Sequence, residues 1–193
     1  MKLAEALRDL VTHLTEDGVE FALVGGLAAS ARGEARFTRD VDIAVSVADD
    51  EQAESVVYLL SNRGYVVVTT VEQEATGRLA TARLLHSNGV VCDLVFATPG
   101  VEAEVVETAT MVDVFSELEV PTASPEALLA MKTLSATEQR PRDLEDLRAI
   151  LDANPGYEEA TVLDLLTKVA SRGCARGQNL VEKWAALRSR FGR

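Results

Sequence analysis

Phe37-Thr38-Arg39-Asp40-Val41-Asp42-Ile43-Ala44-Val45-Ser46-Val47 is the stretch on which the reading of this chain turns. At the strand period of two, Val41, Ile43, Val45 and Val47 fall on one face, and Asp40, Asp42, Ala44 and Ser46 on the other. Both carboxylates point the same way, roughly 6.5 Å apart, where two bare anions at an effective dielectric near 20 repel by about 2.5 kcal/mol. A cation removes that repulsion. Two carboxylates on a rigid strand suit Mg2+, which takes one or two carboxylates and completes its octahedron with water and phosphate oxygens. The alternation by itself also fits, less well, a strand with one solvated face.

Upstream, Phe21-Ala22-Leu23-Val24 reads as a short buried strand running into Gly25-Gly26, with a helix beginning over Leu27 to Ala31. A strand that turns through glycines into a helix leaves unpaired backbone N–H groups, and glycine lets a phosphate approach them. Alone, Gly-Gly at a strand end is also an ordinary tight turn. Its weight comes from the Asp40/Asp42 strand, which follows a return loop carrying Arg32, Arg36 and Arg39. Downstream, Arg78 to Leu85 and Val90 to Phe96 read as strands joined by the hairpin turn Ser87-Asn88-Gly89. The second strand carries Asp93, an acid in an apolar run, which is costly without charged partners. If it lies beside Asp40 and Asp42, three carboxylates converge.

The remaining pattern is helical at both ends. Leu3, Leu7, Leu10, Val11 and Leu14 make an amphipathic helix ending near Gly18, and residues 50 to 62 a second, followed by a strand from Tyr65 to Val71. His13 reads as a core-edge residue and His86 as a turn residue. Ser124-Pro125-Glu126 is a helix start, with a capping hydroxyl, a proline at the first position and an acid in the first turn. Lys132 lies off that helix's apolar stripe, where a solvated lysine would also sit. Asp143 and Asp146, in the next helix, also read as acids that stabilise a helix N-terminus. Two last helices are expected over 157–171 and 178–190.

At 193 residues and 47% hydrophobic content the chain supports one substantial domain with a small appendage. It divides into a core over 1–122 and a helical C-terminal region over 123–193. No apolar run approaches the roughly 18 residues needed to cross a bilayer, and Met1 to Glu5 lack a signal-peptide layout, so a cytoplasmic protein with no membrane contact is expected. Cys92 and Cys174 are isolated and read as reduced thiols. The net charge of -12 argues against indiscriminate nucleic-acid binding. Acids crowd the middle from Glu102 to Glu126, while Lys168, Arg172, Arg176, Lys183, Arg188, Arg190 and Arg193 make the tail basic. Such a tail fits an RNA backbone, or simply cations near helix C-termini.

Taken in order, Leu23-Val24-Gly25-Gly26, Arg36-Phe37-Thr38-Arg39-Asp40-Val41-Asp42, the later strand acid Asp93, Ser124 to Lys132 and Arg140 to Leu147 resemble the AbiEii/MenT group of nucleotidyltransferase-like toxins from bacterial toxin-antitoxin systems. The resemblance covers about residues 20 to 150. It implies an α+β fold, a polymerase-beta-like nucleotidyltransferase mixed sheet flanked by helices with a helical C-terminal portion. It implies Mg2+, two ions in all, an NTP substrate, and transfer of nucleotides, often pyrimidines, to the 3′ acceptor end of tRNA, which blocks charging. On this chain Asp40, Asp42 and Asp93 would hold the metal, and Asp93 would also help deprotonate the attacking hydroxyl. Gly25 and Gly26 would cradle the triphosphate, with Thr38 and Arg39 beside it. Lys132 would contact phosphates, and Arg142 and Asp143 would position the nucleotide or Lys132. A cognate antitoxin is implied, and phosphorylation of Thr38, which shares the face of the metal ligands, is one way it would act. The wider superfamily has Gly-Ser where this chain has Gly-Gly, although the toxin group shares the Gly-Gly.

Two other readings stay open on the sequence. The same chemistry would serve a protein hydroxyl or a small molecule such as an aminoglycoside, for which the acidic middle is suited. A catalytically inactive nucleotide- or partner-binding module is the other, against which the complete set Asp40, Asp42 and Asp93 speaks.

Overall fold

The computed structural model describes residues 2–74, 76–98 and 100–191; Met1 and Arg193 of the sequence reading lie outside the described residues. Among the described residues seven strands form one mixed sheet in the order β3-β4-β5-β2-β1-β7-β6. The strands are β1 (Phe21–Val24), β2 (Asp40–Val45), β3 (Val66–Glu72), β4 (Leu79–Leu85), β5 (Val91–Val95), β6 (Thr110–Phe115) and β7 (Leu118–Thr122). β2 runs parallel to β5, and β1 parallel to β7, while every other pairing is antiparallel. Parallel neighbours need long crossovers. Between β2 and β5 that crossover is α3 (Asp50–Asn62) with the β3–β4 pair, which leaves β3 as an exposed edge.

The sheet centre is built from residues that the strand alternation turns inward: Leu23, Ile43, Leu84 and Leu94 are all fully buried. Helix α1 (Lys2–Glu16) adds Leu7, Leu10 and Leu14 at helical spacing. Side-chain caps start some of the later helices, the one at Ser124 as the sequence indicated. The Asp49 side chain accepts from the Gln52 N–H ahead of α3, and the Ser124 hydroxyl accepts from the Ala127 N–H ahead of α5 (Pro125–Ser135). Helices α6 (Pro141–Ala153), α7 (Glu159–Ser171) and α8 (Leu180–Arg190) follow, so that after β7 ends at Thr122 the described chain is helical. They join the same hydrophobic core, with Leu147, Leu166 and Trp184 buried in it. Among the described residues no helix is long and apolar enough to cross a membrane.

Two local expectations are corrected, and the reading of the basic tail is narrowed. Helix α2 (Gly25–Arg32) begins at the first glycine rather than at Leu27, so the glycines are its opening turn. His86 is not a mere turn residue: it is buried, its Nε2 lies 3.2 Å from Asp9 Oδ2, and its ring meets Tyr65 edge-on. Three of the six described cations of the basic tail are ion-paired with acids. Lys168 meets Asp164 at 3.0 Å, Arg172 holds Glu104 through both terminal nitrogens, and Arg188 pairs with Glu159.

Candidate active site

The register of four strands puts the acids of the sequence into one row. Asp42 stands opposite Val24 of β1 on one side and Asp93 of β5 on the other, and Asp93 stands opposite Arg83 of β4. Residues in one row share a face, so Arg83, Asp93 and Asp42 all look into the cleft below α5 and α6. That cleft holds about 800 Å³ and is lined by every residue singled out from the sequence: Gly25, Gly26, Thr38, Arg39, Asp40, Asp42, Asp93, Lys132, Arg142 and Asp143.

Gly25 is required for a reason the sequence did not disclose. It sits at φ +66°, and a Cβ there would stand 2.0 Å from Asp42 Oδ2. The next residue turns its N–H toward the same oxygen, 3.4 Å away. The opening turn of α2 is thus packed against the Asp42 carboxylate, which lies where the sequence reading set a phosphate. Gly25→Ala is expected to cost about 2 kcal/mol from the left-handed backbone alone and to push the Asp42 side chain out of place. A melting temperature equal to wild type would contradict this.

Burial raises the Asp42 carboxyl to about 6, with the nearby Asp93 and Asp40 adding to the rise and Lys132 opposing it. Asp93 is engaged differently. Arg83 donates to both its oxygens, Nε to Oδ1 at 2.8 Å and Nη2 to Oδ2 at 2.7 Å. The three carboxylates therefore face one cleft without being drawn together: among the described residues no three His, Cys, Asp or Glu groups are close enough to hold an ion. The sequence reading had the three carboxylates converge if the two strands were neighbours; the strands are neighbours, the carboxylates line one cleft, and Asp93 is held by Arg83. The donor set still fits Mg2+ chemically, being all carboxylate oxygen. The raised Asp42 reflects burial and neighbouring carboxylates that the Gly26 N–H and Lys132 offset only in part.

Lys132 is not the solvated lysine that its place off the apolar stripe allowed. It is 7% exposed, and its Nζ lies 2.7 Å from both Asp143 Oδ1 and Asp146 Oδ2. Asp146 also accepts from Arg36, whose Nη2 is 2.8 Å from Oδ2. Burial alone would raise Asp146, but the hydrogen bonds from Arg36 and Lys132 carry it below the usual carboxylate range. This network ties the loop after α2 to α5 and α6. Gly26 leaves room for it, since a Cβ there would meet Arg36 Nη2 at 2.8 Å.

Arg36, Arg83 and Asp146 are the participants that sequence reasoning missed or set aside. Arg83 was within reach: counting outward from Asn88 at the hairpin tip places it opposite Asp93. Asp146 and Arg36 are 110 residues apart, and nothing local links them.

The fold is that of the nucleotidyltransferases. The crystal structure of ANT(2″)-Ia in complex with adenylyl-2″-tobramycin superposes with a TM-score of 0.60 at 16% identity, covering 89% of this chain and 99% of that one. The solution structure of the same antibiotic-resistance factor gives 0.58 at 18% identity, over 90% and 94%. A protein from Thermotoga maritima assigned as a nucleotidyltransferase gives 0.53 at 17% identity, over 78% and 93%. No curated protein matches by sequence. The chain belongs to the AbiEii family, the nucleotidyl transferase toxins of Type IV toxin-antitoxin systems, which matches residues 7–191. Membership implies a cognate antitoxin.

Proposed function

We propose that this protein transfers nucleotides, pyrimidines by expectation, from Mg2+-bound NTP to the 3′ acceptor end of tRNA in the cytoplasm, and so blocks translation. The observation that carries the RNA acceptor is the charge of the cleft. Seven Arg and Lys side chains line it against four Asp, on a chain whose net charge is -12. None of the acidic residues between Glu102 and Glu126 lines it, so the acidic middle does not serve an acceptor there. Of the basic tail, Arg176 does reach the cleft, from a residue held at φ +54°. A locally cationic cleft on an anionic protein admits polyphosphate and RNA at one place and rejects them elsewhere.

Asp40, Asp42 and Asp93 would hold Mg2+, which when bound supplies charge neutralisation and alignment for in-line displacement at phosphorus. Asp93, once free of Arg83, accepts the proton of the attacking 3′ hydroxyl. Arg39 and Arg142 face the cleft as phosphate partners, Lys132 keeps positive charge at its floor, and Asp143 fixes the Lys132 ammonium. Gly25 and Gly26 leave the room that Asp42 and Arg36 occupy at the triphosphate end of the cleft.

The test is incubation of the purified protein with Mg2+, each labelled NTP in turn and total tRNA, resolved on a denaturing gel. Label in tRNA supports the proposal and names the nucleotide. Label in protein, or in a small molecule, would replace the acceptor; the likeness to ANT(2″)-Ia, solved with an adenylylated aminoglycoside, favours including tobramycin as an alternative acceptor. No transfer to any acceptor would favour a binding module.

Arg83 competes with a cation for Asp93 in this scheme. Arg83→Ala is expected to raise Mn2+ affinity about tenfold in the absence of nucleotide, read by calorimetry. Unchanged affinity would mean that the ion pair does not restrain the site.

Thr38 lines the same cleft, and a phosphate there would add nearly two negative charges beside Asp40 and Asp42. This is the proposed point of antitoxin control. Thr38→Glu should lower transfer by at least about tenfold through like-charge repulsion; full activity in that variant would remove the proposal.

A further inference from the structure

Phe37 has no structural reason to be where it is. It is 76% exposed, the highest among the exposed large hydrophobics of the described residues, and it stands at the rim of the cleft three residues before Asp40. A single surface apolar residue is ordinary, but this one is held in place from both sides. Before it, Arg36 is anchored on the buried Asp146 and donates from Nη1 to the Phe37 carbonyl at 3.3 Å. After it, the chain enters β2 at Asp40. The ring thus gains little from the fold, yet it stands on a braced segment beside the metal-binding acids.

Its companion is Arg39, whose guanidinium carbon lies 5.5 Å from the ring centroid. An aromatic face next to a guanidinium presents the two things a nucleotide offers partners for, a π-face and a phosphate.

We propose that Phe37 and Arg39 form a nucleobase platform at the mouth of the cleft, the ring stacking on a base and the guanidinium pairing with that nucleotide's phosphate. The inference rests on the nucleotidyl-transfer reading given above and assigns it a base-reading element. The base belongs either to the NTP or to the last nucleotide of the acceptor RNA, since both show the same π-face. Stacking of this kind is tolerant of sequence, so Phe37 supplies affinity and orientation while the choice of nucleotide is made elsewhere.

The test uses the full chain as wild type, Phe37→Ala and Phe37→Trp, with three ligands: each NTP, ribose 5-triphosphate without a base, and a short RNA with a free 3′ hydroxyl. Equilibrium binding of Phe37→Ala should weaken about tenfold for a base-bearing ligand and stay unchanged for ribose 5-triphosphate. Loss confined to the NTP makes the platform the site of the incoming base, and loss confined to RNA makes it the site of the acceptor base. Phe37→Trp should retain affinity, and its fluorescence should fall when that ligand binds; the native Trp184 is 1% exposed and lies outside the cleft lining, so it contributes no such change. Wild-type affinity for NTP and RNA alike in Phe37→Ala, with no quenching in Phe37→Trp, overturns the platform while leaving nucleotidyl transfer standing. A wild-type protein that binds no NTP overturns the transfer reading and the platform together.

Discussion

Asp42→Asn is expected to abolish nucleotidyl transfer, by at least about a thousandfold, and at the same time to make the metal-free protein more stable at pH 8. The loss follows from removing a proposed metal ligand at the centre of the row Asp93, Asp42, Val24. The gain follows from linkage. Burial and the neighbouring acids raise Asp42 to about 6 from its ordinary 3.8. Between those two values the folded chain binds a proton that the unfolded chain does not, so stability falls as pH rises from about 4 to about 6 and the full penalty remains above that. A displacement of that size corresponds to about 3 kcal/mol. Asparagine does not ionise, so the variant escapes the penalty, and its side-chain oxygen still faces the Gly26 N–H. In melts without divalent cations, Asp42→Asn should exceed wild type at pH 8 by about 5 to 10 °C and match it at pH 4. Glu102, raised to about 7 chiefly by burial, has the same sign, so some acid stabilisation will persist in the variant. Equal melting temperatures at pH 8 would show that the Asp42 charge is already compensated in solution.

Lys132→Met is the second large effect, and it concerns the fold before the chemistry. Asp143 and Asp146 are both buried, at 5% and 2% exposed, and Lys132 lies 2.7 Å from each. Removing the shared cation leaves two carboxylates short of charge in a dry place, for which about 3 kcal/mol is expected. The remaining pairs, Arg36 with Asp146 and Arg140 with Asp143, keep the loss from being larger. A solvated lysine on a helix would cost under about 0.5 kcal/mol, so denaturant unfolding separates the two descriptions. The double variant Lys132→Met/Asp143→Asn should recover part of the loss, because one stranded charge is gone; strict additivity would mean that the two residues do not interact.

How far the sequence alone could go depended on the distance over which each feature is decided. The alternation in Asp40 to Val45 placed two acids on one strand face, and the glycines, the hairpin turn and the Ser124 cap marked where elements begin and end. Those are local properties, set by backbone geometry and by burial at periods of two and 3.6 residues. Asp93 was noticed as an acid in an apolar run, and its row with Asp42 required only that two strands become neighbours.

What the tertiary structure alone decided is which charge meets which. Arg83 was within reach of the hairpin count, yet whether it faces Asp93 or solvent depends on a side chain that no periodicity describes. Lys132 looked solvent-facing on its own helix because its helical position lies off the apolar stripe, and it is buried because α6 brings Asp143 and Asp146 over it. The Gly25 contact likewise appears only when β1 and β2 lie side by side, so that a missing Cβ becomes the space for a carboxylate. Hydrophobic pattern is written along the chain because each residue's burial repeats with the element that carries it. A charged partner brought from 110 residues away has no period, and only the packed fold sets it at hydrogen-bond distance.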